Sequence, residues 1–132
     1  MTGNYGHFMV YAPADKLEAR NYGVSRYGME VQRLCDVLDR HLATRTYLVG
    51  EEYTIADIMC FPWFFMLRKF YVHSSGIGAW KFLNMEQYTH ANRWADLIAA
   101  RPAVVRGLQV CSFNGVPKPW LVNEEEKKEE AK

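Results

Sequence analysis

The sequence of 132 residues is poor in cysteine. Its three cysteines, Cys35, Cys60 and Cys111, form neither an even set for a disulfide framework nor the paired spacing of a zinc site. Each follows an apolar residue. We therefore expect buried, reduced thiols in a cytoplasmic protein.

Long apolar segments are also missing. The N-terminal residues lack the basic and apolar regions of a secretory signal, so none is expected. The strongest apolar run, 58–67, contains Pro62 and has about half of the roughly 20 residues that a membrane span needs. We expect no membrane-spanning helix and interpret this run as part of a buried core helix.

Excess charge and common catalytic motifs are absent too. A formal net charge of +1 gives no reason to expect nucleic acid as a partner. The sequence has no P-loop, no G-x-S-x-G, no H-E-x-x-H and no dinucleotide-binding glycine motif. The four histidines share no ligand spacing. No catalytic residue and no metal site is therefore assigned.

Aromatic residues, in contrast, are plentiful at 14%, and such side chains need a core or a partner to cover them. Several fall in residues 1–14, which we predict to be a loop because Gly3, Gly6 and Pro13 interrupt any period. We expect this loop to lie against another part of the protein, because it carries large side chains: Tyr5, Phe8, Met9, Val10 and Tyr11.

Apolar residues at helical spacing predict four helices after this loop. The first begins near Asp15, which can cap it with Glu18 in the matching position, and ends near Thr44. The third covers about 85–100 with Asn84 as its cap, and the fourth covers 103–110 with Pro102 in its first turn. Residues 15–112 are thus predicted to be an all-α helical domain, and 113–132 an extended, charged, partly disordered tail.

The second helix, 55–70, has the clearest start signal. The Thr54 hydroxyl and the Asp57 carboxylate can each accept from the other residue's backbone N–H group, as a capping box. Asp57 is accordingly interpreted as structural. The helix is apolar on every face, so we expect it to be central and buried on all sides. Pro62 is expected to kink it by removing one hydrogen bond.

Arg26 has two interpretations on spacing alone. It lies one turn before Glu30, so a surface ion pair within the helix accounts for it. It also borders the apolar stripe of the first helix, where an arginine can bind an anion on the wall of a cleft. Gly23 and Gly28 flank it, and each weakens the helix by about 1 kcal/mol relative to alanine.

The segments around the second helix resemble a known family. Residues 50–57, Gly-Glu-Glu-Tyr-Thr-Ile-Ala-Asp, match the G-x-x-x-[S/T]-x-x-D capping box of the glutathione S-transferase C-terminal domain. Residues 58–63 resemble its continuation in one branch, and 100–104 resemble the family's R-P-A/S-V joint. Other segments are similar to the nu-class branch of bacterial disulfide-bond oxidoreductases: 6–8, 11–13, 25–27, 29–33, 37–40, 79–83 and 93–95. The resemblance covers about residues 3–116.

The resemblance implies a protein that binds glutathione as co-substrate, often two molecules per active site, for thiol transfer or the reduction of small disulfides. It implies that Arg26 reaches glutathione near the thiol, where it could hold a carboxylate or lower the thiol pKa. It places Tyr5, Phe8 and Tyr11 beside the pocket for a small electrophile or disulfide.

The family's thioredoxin-fold domain, which holds most of the glutathione molecule, has no counterpart in these residues. The first helix of the family's helical domain is missing as well. We therefore expect no appreciable catalysis from this chain alone. We also expect self-association or a homodimer, because the faces that would meet the missing parts are apolar. Two other functions stay open: a non-catalytic module for protein assembly, and a helical domain that has lost its activity.

Overall fold

The computed structural model of the protein describes residues 1–72 and 76–110. These ranges contain six α-helices: α1 (Thr2–Gly6), α2 (Leu17–Leu42), α3 (Ile55–Lys69), α4 (Ala79–Phe82), α5 (Thr89–Ala99) and α6 (Pro102–Gln109). They contain no strand, only isolated β-bridges between Tyr47 and Gly50 and between Val72 and Gly78. The predicted all-α fold is confirmed for the residues that the structure describes.

The chain divides into two compact units, residues 1–96 and 97–132. The second unit is described only over 97–110, which contain α6 and the end of α5. Pro102 occupies the first turn of α6, as predicted. The predicted tail, 113–132, and Cys111 lie outside the described residues. The domain limits 15–112 stay a prediction.

The N-terminal segment is helical, so the predicted loop over 1–14 is wrong for most of its length. After α1 the chain continues as a π-helical segment, His7–Tyr11, in which the Ala12 N–H donates to the His7 carbonyl at 2.7 Å. Tyr5 and Met9, one turn apart, are both buried. Tertiary packing of these two side chains outweighs the helix-weakening effect of the glycines.

The first predicted helix corresponds to α2, but it begins two residues later than expected. Asp15 does not cap it; its carboxylate lies 3.5 Å from the ammonium of Lys16, and the N-terminus of α2 has no side-chain cap. The end at Leu42 is within two residues of the predicted Thr44. The predicted apolar stripe of α2 (Val24, Tyr27, Val31, Leu34, Leu38 and Leu42) is confirmed only in part: Val31 and Leu42 are buried, but Leu34 is exposed and its neighbour Cys35 is buried instead.

The capping box of α3 is present. The Ala56 N–H donates to the Thr54 hydroxyl oxygen at 3.3 Å, and the Thr54 N–H donates to the Asp57 carboxylate at 2.9 Å. The helix continues through Pro62 to Lys69. The predicted start and type of this element are therefore confirmed.

The expectation that α3 is buried on all sides is wrong. One face is buried through Asp57, Phe61, Phe64 and Leu67, but the opposite face is exposed. Burial on every side needs other elements on every side, and the described residues cover only one. Cys60, on α3, is exposed, against the expectation of a buried thiol, whereas Cys35 is buried as expected.

The third predicted helix corresponds to α5, but its predicted start lies too early in the sequence. Asn84 adopts a left-handed backbone conformation (φ 50°), whereas a capping residue is normally extended, so it does not cap the helix. A short 3₁₀ helix, Met85–Gln87, follows it, and α5 starts only at Thr89. The predicted apolar side of this helix is confirmed, since all its members are buried: Tyr88, Ala91, Trp94, Ala95 and Ile98.

Candidate functional site

Arg26 is exposed on α2, and it does not form the ion pair with Glu30 that would explain it as a surface residue. The Glu30 carboxylate is bound by Arg33 instead, at 2.6 Å. That hydrogen bond is the main reason why the pKa of Glu30 is lowered. Within the described residues, Arg26 itself has no hydrogen bond or ion pair. Its guanidinium is therefore available to an anion.

Next to Arg26, Tyr27 stacks with Phe8 from the π-helical segment. The ring centroids are 5.6 Å apart and the planes are inclined by 16°. We call this pair the aromatic wall. The Phe8 ring also lies on Gly23: a Cβ at that position would come within 2.3 Å of Phe8 Cγ. Gly23 is therefore required for close approach.

Tyr5 of α1, which was predicted to border a substrate pocket, is fully buried. Its ring packs near Phe82, with centroids 6.2 Å apart, and its hydroxyl has no hydrogen-bond partner among the described residues. Burial raises the pKa of Tyr5 well above its usual value. Tyr5 thus has no free surface for a substrate in this conformation, whereas Tyr11 is exposed.

Arg26 directly precedes Tyr27 of the aromatic wall in α2, and the structure adds a residue that sequence reasoning missed. Arg20 is only 8% exposed. Its guanidinium donates to the carbonyls of Phe8, at 3.1 Å from Nε, and Met9, at 2.7 Å. A signal was present: extending the apolar stripe of α2 back one turn from Val24 reaches Arg20, a charged residue on the buried side.

Replacing Arg20 by alanine is expected to release the segment 1–12 from α2. Two carbonyls inside the protein would lose their donor, and we expect the free energy of unfolding to fall by about 2 kcal/mol. Amide hydrogen exchange measures the effect: in the variant, the exchange rates of residues 5–12 are expected to rise more than those of α3. Lysine at the same position restores one donor and serves as the control; equal exchange in all three proteins contradicts the role.

A groove of about 570 Å³, which we call the apolar groove, lies between the start of α1, α2 and α3. Its walls come from these residues: Met1, Thr2, Gly3, Asn4, Val31, Leu34, Cys35, Val37, Leu38, His41, Leu48, Cys60, Trp63, Phe64 and Leu67. Both described cysteines therefore border one apolar space. Burial raises the pKa of the Cys35 thiol to about 12, so this thiol stays protonated at neutral pH.

Asp57 is structural, as predicted. It is fully buried and accepts hydrogen bonds from the Leu48 N–H at 3.0 Å, the Thr54 N–H at 2.9 Å and the Trp94 indole N–H at 2.8 Å. These donors join the turn before α3, the first turn of α3 and α5. Because the carboxylate is buried and accepts from all three donors, Asp57 acts as a structural link between these elements.

No group of three or more histidine, cysteine or acidic side chains in the described ranges could hold a metal ion. Among the helices that the structure describes, none is long and apolar enough to cross a membrane.

The fold and the capping box of α3 define a helical domain of the glutathione S-transferase type. The family model described as "Glutathione S-transferase, C-terminal domain" matches residues 25–102, more than half of the chain. The chain therefore belongs to the glutathione S-transferase family.

Similar proteins agree with the resemblance to the nu-class branch. The disulfide-bond oxidoreductase YghU of Escherichia coli (strain K12) is 43% identical over 113 residues, which cover 86% of this chain and 36% of that protein. The chain spans less than half the length of the curated relatives it matches.

Two solved structures are similar in fold. A glutathione transferase from Burkholderia graminis, with two glutathione molecules bound per subunit, superimposes with a TM-score of 0.73 at 33% identity, covering 85% of this chain and 43% of that one. The glutathione transferase YghU from Streptococcus pneumoniae, complexed with glutathione, has a TM-score of 0.68 at 42% identity, covering 82% of this chain and 39% of that one.

Proposed function

We propose that this chain is the helical part of a glutathione S-transferase that binds glutathione for thiol transfer or for the reduction of small disulfides. Its similarity to a disulfide-bond oxidoreductase and to two glutathione-bound transferases supports this function. The chain covers 36% of YghU. We infer that the part which holds most of the glutathione molecule, a thioredoxin-fold domain, lies outside these residues.

The observation that carries the proposal is the free guanidinium of Arg26 beside the aromatic wall. Because Arg33 occupies the Glu30 carboxylate, Arg26 is left to face an anionic ligand. A guanidinium can hold a carboxylate of glutathione through paired hydrogen bonds, or favour the thiolate form of its cysteine by charge attraction. Arg26 is thus proposed to bind glutathione and to assist the thiol.

The aromatic wall and Tyr11 are proposed to contact the second substrate, a small electrophile or disulfide. Phe8 and Tyr27 offer a flat apolar surface next to the charge of Arg26. Such a surface suits a substrate with an apolar body and a reactive group directed at the thiolate. We also propose a cytoplasmic location, in keeping with the thiol chemistry.

Replacing Arg26 by alanine is expected to weaken glutathione binding about tenfold, because a hydrogen-bonded charge pair of about 1.4 kcal/mol is lost. Isothermal titration measures this on a full-length form, made by joining the chain to the glutathione-binding half of the Escherichia coli relative. Arg40 is the matched control. It lies on the same helix, roughly 20 Å away at 1.5 Å per residue, and it is paired with Asp36.

The control variant Arg40→Ala is expected to bind glutathione within twofold of the unchanged protein. Equal affinity in the Arg26 and Arg40 variants contradicts a glutathione-binding role for Arg26 and favours the assembly module. Absence of binding in every protein, with correct folding, favours a domain that has lost its activity.

A further inference from the structure

Five charged residues of alternating sign follow one another along one side of α2. We call them the charged row: Arg26, Glu30, Arg33, Asp36 and Arg40. Each lies three or four residues from the next, which places neighbours within reach of each other on a helix. At 100° per residue, all five fall within an arc of about 120°. Three arginines and two acidic residues cannot all form separate pairs, so one arginine is left over.

The charged row can pair in two ways, and the structure contains one of them. Arg33 donates to both carboxylate oxygens of Glu30, at 3.0 Å from Nε and 2.6 Å from Nη2, and Asp36 binds Arg40. This pairing leaves Arg26 over. The alternative pairs Arg26 with Glu30 and Arg33 with Asp36. Arg40 would then be left over, roughly 20 Å further along the helix.

The order of charges along α2 favours the observed pairing. An acidic residue that precedes its basic partner complements the helix dipole, and the reverse order is less stable. Both observed pairs have the acidic residue first. Both pairs of the alternative would have the arginine first. The sequence of α2 therefore selects Arg26, next to the aromatic wall, as the arginine without an acidic partner.

The remaining acidic and arginine side chains of α2 do not change this count. Arg20 is bound to two backbone carbonyls, and Asp39 accepts a hydrogen bond from the Ala91 N–H at 2.9 Å. Glu18 lies eight residues before Arg26, which is beyond the distance of helical neighbours. Glu30 is thus the acidic residue of α2 that could neutralise Arg26.

We propose that Arg33 is a positioning residue for glutathione. By holding the Glu30 carboxylate, Arg33 prevents Glu30 from pairing with Arg26, and so it keeps that guanidinium open to the anionic ligand. This inference rests on the proposed binding of glutathione by Arg26. It adds a residue that acts on affinity through Glu30 and not through a contact with the ligand.

The electrostatics of Glu30 support this competition. The hydrogen bond from Arg33 is the main cause that lowers the pKa of the Glu30 carboxyl, and the charge of Arg26 lowers it as well. Glu30 therefore lies within electrostatic reach of both arginines, although it is bound to only one of them.

Replacing Arg33 by alanine is expected to weaken glutathione binding about two- to fivefold, the range that exposed ion pairs span, because the freed Glu30 carboxylate turns to Arg26. Isothermal titration with glutathione measures this on the same full-length form. Adding Glu30→Gln to Arg33→Ala is expected to restore the affinity, because a neutral amide does not compete with the ligand for Arg26. A mere loss of stability would not be repaired by the second substitution.

Arg40→Ala is the matched control for Arg33→Ala. It also removes one positive charge and frees one carboxylate, that of Asp36. This carboxylate belongs to a residue ten positions from Arg26, roughly 15 Å along the helix, so it cannot replace the ligand there. A similar loss of affinity in both variants would mean that net charge, and not the pairing of Glu30, sets the affinity.

A second measurement needs no glutathione and uses the 132-residue chain. Carbon-13 NMR titration follows the pKa of the Glu30 carboxyl, which Arg33, Arg26 and the amino group of Met1 all lower. Arg26→Ala is expected to raise this pKa more in the Arg33→Ala background than in the unchanged chain. The reason is that Arg26 forms the ion pair with Glu30 only when Arg33 is absent.

Failure of this inference differs from failure of the proposed function. If Arg26→Ala weakens binding and Arg33→Ala does not, the proposed function stands and the role of Arg33 is contradicted. A loss in Arg33→Ala that persists after Glu30→Gln contradicts it too, as does an equal effect of Arg26→Ala on the Glu30 pKa in both backgrounds. Equal affinity in the Arg26→Ala and Arg40→Ala variants contradicts the proposed function, and with it any role of Arg33 in glutathione binding.

Discussion

Replacing Asp57 by asparagine is expected to lower the free energy of unfolding by about 3 kcal/mol. The carboxylate is fully buried and accepts from the backbone of Leu48 and Thr54 and from the indole of Trp94. Asparagine presents an NH₂ group in place of one oxygen, so at least one of these donors faces another donor. Urea unfolding followed by circular dichroism measures the difference.

The same variant is expected to change the dependence of stability on pH. Burial raises the pKa of Asp57, but the hydrogen bonds from Leu48, Thr54 and Trp94 outweigh it, so the pKa is lowered overall. The folded-state pKa then lies below the unfolded value of about 3.9. The stabilisation by the carboxylate is complete above that pH and is lost as pH falls through the folded-state pKa. The gap between the two proteins should therefore shrink below about pH 4.

Asp96→Asn is the control for this experiment. Asp96 also carries a charge pair, with Arg68 at 2.8 Å, but its side chain is 66% exposed. Ion pairs of this kind contribute at most about 1 kcal/mol. A similar loss in both variants would contradict the special position of Asp57.

Replacing Gly23 by alanine is expected to lower the free energy of unfolding by about 2 kcal/mol, because the new Cβ overlaps a ring that must then move. The three nearest atoms all belong to the Phe8 ring, at 2.3 to 2.6 Å. Gly28, five residues further along the same helix, provides the contrast. A Cβ there meets its nearest neighbour, Phe82, at 3.5 Å, an ordinary contact. Gly28→Ala is therefore expected to raise stability by up to about 1 kcal/mol.

A double-mutant cycle distinguishes this mechanism from a general weakening of α2. In a Phe8→Ala background the space above Gly23 is empty, so alanine at position 23 is expected to stabilise the helix as it does at position 28. Thermal unfolding of the single and double variants gives the coupling. A Gly23→Ala loss that persists without the Phe8 ring contradicts the close contact.

The parts of the fold that the sequence predicted correctly are those with local signals. The Thr54–Asp57 capping box marks the start of α3, and Pro102 marks the start of α6, because each signal acts within one turn. The start of α5 was missed, since Asn84 resembles a capping residue in the sequence but adopts a left-handed backbone that leads into a short 3₁₀ helix.

The N-terminal segment could not be predicted in this way because distant residues hold it. Gly6 allows close contact with the Tyr71 ring, and Gly23 allows contact with Phe8. Arg20 supplies hydrogen bonds to carbonyls 11 and 12 residues earlier. In the sequence a glycine indicates a break in a helix. The structure shows instead that an aromatic ring occupies the space where its side chain would be.

The candidate site was predicted only in part. Family resemblance pointed to Arg26, and the structure adds that Glu30 does not neutralise it through an ion pair. Tyr5 was assigned to the same site because the resemblance places the N-terminal segment beside the substrate pocket, yet in α1 its side chain is buried in the core. Because residues 1–14 were predicted to be a loop, no helical face could be assigned to Tyr5 from the sequence.

The three anchors of the N-terminal segment also tie ligand binding to local unfolding. Tyr71 over Gly6, Phe8 over Gly23 and Arg20 under the Phe8 and Met9 carbonyls all hold one short stretch of chain, so we expect these contacts to open as one unit. A ligand that contacts Phe8 binds only the closed form and so shifts this equilibrium towards it. We therefore expect a ligand on the aromatic wall to stabilise the contact between Tyr71 and Gly6 as well, although it does not touch Tyr71.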